Sequence, residues 1–170
     1  MLTPVDETSL LYVCLRLRAR DAREIYNLRP HDNPVRLASE AAWVLPQGRA
    51  RIAWYQGRPA GVVGMFESWP RMWEMVMFGT DEFPHVAFAM MRWARHELRD
   101  LLVNGWGHRL QADSHVEHEE AHKFIRAMGG REEVRLLKYG KDGSEYVRFS
   151  WVAGVNDHVA LGRASVSQNR

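Results

Sequence analysis

The spacing of apolar residues predicts both strands and helices along this chain, because strands repeat every two residues and helices every 3.6. The clearest example runs from His108 to Gly130. Residues 110–114 alternate in character, which predicts a strand, and the apolar positions from Ala121 to Met128 repeat with the period of a helix. Gly129 follows the last apolar position, where a glycine in the left-handed conformation commonly ends a helix. This segment therefore predicts a strand, a short polar hinge and a helix.

The same two periods predict the other elements. The predicted strands are residues 11–17, 51–56, 60–67, 72–79, 133–139 and 146–152, and the predicted helices are residues 19–28, 35–45 and 84–103. An Asp-Gly pair at residues 142–143 separates the last two strands, which is a strong signal for a hairpin. The order β-α-α-β-β-β-α-β-α-β-β predicts one α/β domain over residues 11–152. A lead of residues 1–10 precedes it, and a polar tail of residues 153–170 follows.

Composition limits the classes of function. The chain has 170 residues and a formal net charge of +2, so its total charge does not indicate a polyanionic partner. Five arginines between residues 16 and 29 are interpreted as a solvated face rather than a nucleic-acid contact. The one cysteine, Cys14, is expected to be a buried strand residue, and it excludes a disulfide framework. No apolar run has membrane length, so we expect a cytoplasmic protein with no membrane partner.

The element order resembles that of the GNAT acyltransferase superfamily. The resemblance implies a mixed, mostly antiparallel twisted sheet of about seven strands with helices on both faces. Three blocks also look like the small GNAT-like proteins of tailed bacteriophages, which are related to short internal virion proteins of podoviruses. The blocks are MFGTDEFPHVAFAMMRWARHEL, GWGHRLQADSHVEHEEAHKFIRAMGG and REEVRLLKYGKDGSEYVRF.

The resemblance implies a cofactor site that this sequence has altered. GNAT enzymes hold the diphosphate of acetyl-coenzyme A on a glycine-rich turn at a helix N-terminus, where backbone amides and the helix dipole favour an anion. Here the turn reads Gly79-Thr80-Asp81-Glu82-Phe83-Pro84, with one glycine and a proline that has no amide hydrogen. We expect Asp81 and Glu82 to cap the helix and to repel a diphosphate.

If acetyl-coenzyme A binds, we expect its binding to be weak. The residues that the resemblance implies for that contact are Val76, Phe78, Gly79, Thr80 and His85.

The catalytic groups that the resemblance implies are also incomplete. The helix position that often carries a tyrosine acid in GNAT enzymes is Ile125 here, which has no proton to give. Tyr139 is the nearby substitute, and Glu74 is the candidate general base. The alternation of Trp73, Met75 and Met77 around Glu74 favours a plain outward-facing strand residue instead.

A competing motif, His118-Glu119-Glu120-Ala121-His122, satisfies the H-E-x-x-H pattern of zinc hydrolases. Core packing by the same helix argues against that reading, and we expect no metal.

Two functions of different class follow from the sequence. The first is a GNAT-fold protein with weak or lost acyl transfer, acting as a binding or structural component with protein partners, including virion proteins of a phage. The second is an acetyl-coenzyme A dependent N-acetyltransferase that acts on an amine. The first reading places the protein in the host cytoplasm or in the virion. The altered turn, the missing tyrosine and the phage likeness favour it.

Overall fold

The computed structural model describes residues 1–155, which form five α-helices and seven strands in one sheet. The helices of this range are α1 (Glu7–Cys14), α2 (Ala19–Asn27), α3 (Pro34–Val44), α4 (Phe83–Val103) and α5 (Glu119–Ala127). The strands are β1 (Leu2–Thr3), β2 (Arg49–Tyr55), β3 (Arg58–Trp69), β4 (Met72–Gly79), β5 (Arg109–His115), β6 (Arg131–Leu136) and β7 (Tyr146–Val152). The predicted fold class is confirmed.

The sheet separates two apolar cores. Its strand order is β1-β2-β3-β4-β5-β7-β6, and every neighbouring pair is antiparallel except β4 and β5. Val62 packs into the core that contains α1 and α3, while the next residue, Val63, packs into the core that contains α4. Since successive strand residues point to opposite faces, these helices cover opposite faces of the sheet.

The two parallel strands separate partway along their length. Their pairing covers only Met72–Glu74 of β4 and Arg109–Gln111 of β5. Beyond these residues β4 stays paired with β3, and β5 stays paired with β7. The opening between the strands is where the candidate site lies.

The prediction of a strand at residues 11–17 is wrong, because α1 occupies most of this segment. The buried positions Leu10, Val13 and Cys14 follow helical spacing, which the local alternation of polar residues concealed. Asp6 caps the helix by accepting a hydrogen bond from the Ser9 amide at 2.9 Å. Cys14 is buried as expected, although in a helix, and burial raises the pKa of its thiol to about 12.

Most other elements lie where the sequence places them. Strand β4 has the predicted bounds, and α4 begins one residue earlier than predicted. Gly129 has a φ of 89°, the left-handed conformation expected just after α5. The Asp-Gly hairpin joins β6 to β7. Strand β6 ends at Leu136 rather than Tyr139, because Lys138 adopts a left-handed φ of 52°.

The first ten residues are part of the folded domain. Leu2 and Thr3 pair with β2, and α1 begins at Glu7, so residues before Leu11 take part in the fold. Residues 156–170, which contain most of the predicted tail, lie outside the described part of the chain. None of the helices in residues 1–155 is both long and apolar enough to cross a membrane.

The corrected first helix gives a stability prediction. Asp6→Ala removes the cap of α1 and should lower the free energy of unfolding by about 1 kcal/mol. Asp6→Ser replaces one capping side chain with another, so this variant should keep most of the native stability. Hydrogen bonds to Ser9 lower the pKa of Asp6, so the cap stabilises at neutral pH and is lost as the pH falls through that lowered pKa. Urea unfolding at neutral and acid pH measures both effects. Equal stability of the alanine and serine variants would contradict this role of Asp6.

Candidate functional site

The separation of β4 and β5 produces a cavity of about 570 Å³. The strand residues that line it are Met75–Phe78 of β4 and Ala112–Ser114 of β5. Apolar side chains of α2 and α3 line one part of the cavity, and apolar side chains of α4 and α5 line another. Its size falls in the range of small-molecule sites. Val76 and Phe78 belong to this lining, and their contact with a cofactor stays a prediction.

A second group of polar residues lies on one face of β4, β5 and β7. Met75 points into the core with α4, so its neighbour Glu74 points to the opposite face. Arg148 forms two hydrogen bonds with Asp113, from Nε to Oδ1 at 2.7 Å and from Nη2 to Oδ2 at 2.6 Å. This pairing raises the pKa of Arg148, to which the charge of Glu74 also contributes.

The structure brings Tyr139 to the same group. Burial raises the pKa of the Tyr139 phenol, and the negative charges of Asp113 and Glu74 add to the effect. The two candidate catalytic residues thus lie within electrostatic reach of each other and of Arg148. Within the described residues, Asp113 lines the cavity, whereas Glu74 and Tyr139 do not.

The turn before α4 uses most of its amides inside the protein. The Thr80 amide donates to the Ala60 carbonyl at 3.0 Å, and the Phe83 amide donates to the Thr80 carbonyl at 2.9 Å. The Glu82 amide contacts the Thr80 hydroxyl at 3.2 Å. A side chain at Gly79 would meet the Ala60 carbonyl oxygen at 2.5 Å, so glycine is required there for packing against β3.

Helix α2 occupies the backbone groups of Gly79. The Gly79 amide donates to Oδ2 of Asp21 at 2.8 Å, and the Gly79 carbonyl accepts from the Arg18 amide at 3.0 Å. Asp21 is only 2% exposed. Its carboxylate also pairs with Arg18 Nε at 2.8 Å, and burial raises its pKa despite that partner. The end of β4 is therefore bonded to an anion that the chain itself supplies.

The same helix binds the end of β5 through Glu24. One oxygen, Oε2, accepts from the Ser114 hydroxyl at 2.8 Å and from the His115 amide at 2.8 Å. It also lies 2.9 Å from Nδ1 of His118. The Tyr146 hydroxyl donates to the backbone carbonyl of Glu24 at 2.9 Å. Two carboxylates of one helix thus connect the two separated strands.

The prediction that Asp81 and Glu82 cap α4 with their side chains is wrong. Glu82 is the N-terminal cap residue, but its side chain makes no capping hydrogen bond. Its carboxylate instead lies 3.5 Å from His85 Nε2. Both acidic residues are exposed, because Thr80 already satisfies the neighbouring amides. The ring of His85 stacks on Tyr55 at 4.2 Å, so His85 does not line the cavity.

The H-E-x-x-H motif is part of the core in this structure. His118 and His122 are both buried, and the His122 ring packs 5.1 Å from Phe149. Burial lowers the pKa of His122. In residues 1–155, no group of three or more His, Cys, Asp or Glu side chains has an arrangement that would hold a metal ion.

Sequence reasoning missed the residues that connect α2 to the sheet. Arg18 was grouped with the solvated arginines, yet its side chain is only 16% exposed and paired with Asp21. Asp21 and Glu24 were not singled out. Their spacing of three residues places both carboxylates on one face of an otherwise basic helix. That spacing was the sequence feature that could have indicated a contact between this face and the sheet.

Comparison with solved structures identifies the fold. An acetyltransferase of the GNAT family from Bacillus anthracis has a TM-score of 0.67 at 11% identity, covering 89% of this chain and 93% of its own. A spermidine N-acetyltransferase from Vibrio cholerae, solved with CoA and spermine, has a TM-score of 0.67 at 15% identity, with 90% and 95% coverage. The ribosomal-protein-S18-alanine N-acetyltransferase from Escherichia coli has a TM-score of 0.65 at 11% identity, with 90% and 93% coverage.

At such low identity these likenesses establish the fold and no more. The chain has the GNAT fold. No protein-family model matches the chain, and no curated protein matches it at a significant level.

The electrostatic contact at Tyr139 gives a titration test. Asp113→Asn removes a negative charge beside the phenol and should lower the pKa of Tyr139, while burial keeps it above the ordinary value. The pKa of Tyr139 is measured by titrating the ultraviolet absorbance of the phenolate. The chain has five tyrosines, so the titration of a Tyr139→Phe variant is subtracted, both in the native background and in the Asp113→Asn background. An unchanged pKa of Tyr139 in the variant would show that Asp113 does not act on it.

Proposed function

We propose that this chain is a GNAT-fold protein in which acyl transfer is weak or lost, and that it acts as a binding or structural component. The observation that carries the proposal is the bond between the Gly79 amide and the buried Asp21 carboxylate. The residues before α4 do not fit a coenzyme diphosphate in this conformation. Three more amides of the turn are already engaged within the chain, and Pro84 has none.

Binding a diphosphate at this turn would carry two costs. Existing hydrogen bonds would have to break, and a bond to a charged group contributes about 1.5–3 kcal/mol to stability. The diphosphate would also approach the carboxylates of Asp21, Asp81 and Glu82. Like charges repel by about 4 kcal/mol at 4 Å near a protein surface. Both costs support weak or absent binding of acetyl-coenzyme A.

The proposal also includes where the protein acts and what it binds. The three sequence blocks that resemble phage GNAT-like proteins support a role with protein partners in virion assembly or inside the virion. Exposed aromatic side chains support a protein-binding role, since aromatic residues are enriched at interfaces. Trp43, Trp69 and Trp106 are each more than half exposed.

A second candidate function is N-acetyl transfer to an amine. The cavity between β4 and β5 and the grouping of Glu74 with Tyr139 favour it. In that role Glu74 would accept the proton of the amine, directly or through water, and Tyr139 would be the proton donor. A phenol of ordinary pKa is already protonated at neutral pH, and the upward shift in the pKa of Tyr139 does not change this state.

Calorimetry separates the two functions. Under the first proposal, titration of the protein with coenzyme A or acetyl-coenzyme A should give no binding heat at millimolar ligand, because the turn before α4 is occupied. Binding in the micromolar range, together with acetyl transfer to a panel of polyamines and peptide amines, would contradict it. Glu74→Gln should then abolish most of that activity, while Glu67→Gln on the neighbouring strand serves as the control.

A further inference from the structure

We propose that Asp21 is an internal anion that fills a latent anion site beside Gly79, and that α2 thereby keeps the GNAT cleft closed to phosphate-bearing ligands. This inference rests on the proposed function and adds the cause of the weak binding. The donors at the end of β4 would then be present but occupied by one removable side chain. Helix α2 is then an autoinhibitory element.

The Gly79 amide and the Arg18 guanidinium form the latent site. Both contact the same Asp21 oxygen, Oδ2, at 2.8 Å. A backbone N–H beside an arginine is the donor set that binds phosphate and carboxylate oxygens. In this structure the ligand of that set is a carboxylate from the chain, and it is almost completely buried.

Arg18 is held in place independently of Asp21. Its guanidinium lies 4.1 Å from the centre of the Phe83 ring, the first residue of α4. Its backbone amide is fixed by the Gly79 carbonyl, and the side chain lines the cavity. Removing Asp21 would therefore leave a cation at the cleft with its position kept by Phe83 and Gly79.

The surroundings explain why the site stays closed in the native chain. Glu24 fixes the other side of α2 to β5 with three contacts at its Oε2. His118 Nε2 lies 3.8 Å from Asp21 Oδ1, so this buried ring lies between the two carboxylates of α2. Glu120, 3.8 Å from Arg18 Nη1, is a further acidic neighbour that a bound anion would meet.

The test compares Asp21→Ala with the native protein. The association constant for coenzyme A and for inorganic pyrophosphate, measured by calorimetry, should rise about tenfold or more, which corresponds to at least ~1.4 kcal/mol. Pantetheine, which lacks the phosphates, should show no such gain. Asp21→Asn keeps the size of the side chain without its charge, so it should give a smaller gain and provides a second variant that preserves packing.

The matched control is Glu117→Ala. It also removes a carboxylate that pairs with an arginine of α2, because Glu117 lies 2.7 Å from Nη1 of Arg23. Neither of these two residues lines the cavity, so the affinity of this variant for pyrophosphate should equal that of the native protein. Far-ultraviolet circular dichroism confirms that each variant is folded.

The two proposals fail in different ways. Micromolar binding of coenzyme A by the native protein would contradict the proposed function. A folded Asp21→Ala or Asp21→Asn protein that binds pyrophosphate no better than the native protein would overturn the internal-anion inference. An equal gain in the Glu117→Ala control would also overturn it, because the effect would then come from lost negative charge in general.

Discussion

The separation of β4 and β5 is the constraint on which the rest of this structure depends. Where the two strands part, backbone donors at their ends lose the partners that a continuous sheet would supply. Buried amides need an acceptor, and α2 provides one at each strand. Asp21 binds the Gly79 amide, and Glu24 binds the His115 amide. A helix with two carboxylates three residues apart thus takes the place of the missing strand pairing.

That solution has a consequence for chemistry. The donors at the end of β4, the Gly79 amide and the Arg18 guanidinium, are of the type that binds an anionic ligand. In this structure they bind Asp21 instead and so stabilise the fold. The polar residues Glu74, Asp113 and Tyr139 all lie within electrostatic reach of Arg148. The structure therefore has a cavity and a group of ionisable side chains, of which Asp113 lines that cavity, while most amides of the turn before α4 are bonded within the chain.

Strong local signals were sufficient for much of the fold. The long apolar stripe of α4, the glycine after α5 and the Asp-Gly turn each have a local physical cause, so the sequence places them within a few residues. Helix α1 was misread because its burial is set by α3 and the sheet rather than by a clear local period. The caps of α4 were misread because Thr80 reached the amides that Asp81 and Glu82 were expected to take.

The sequence by itself determined the order of elements, the altered turn at Gly79 and the isoleucine at position 125. These are local properties of residue types and their spacing. Only the tertiary structure decided that Asp21 lies on Gly79 and that Tyr139 lies near Glu74. The members of the first pair are 58 positions apart along the chain, and those of the second pair are 65 positions apart. Local periodicity cannot predict contacts between such distant positions, because folding alone brings them together.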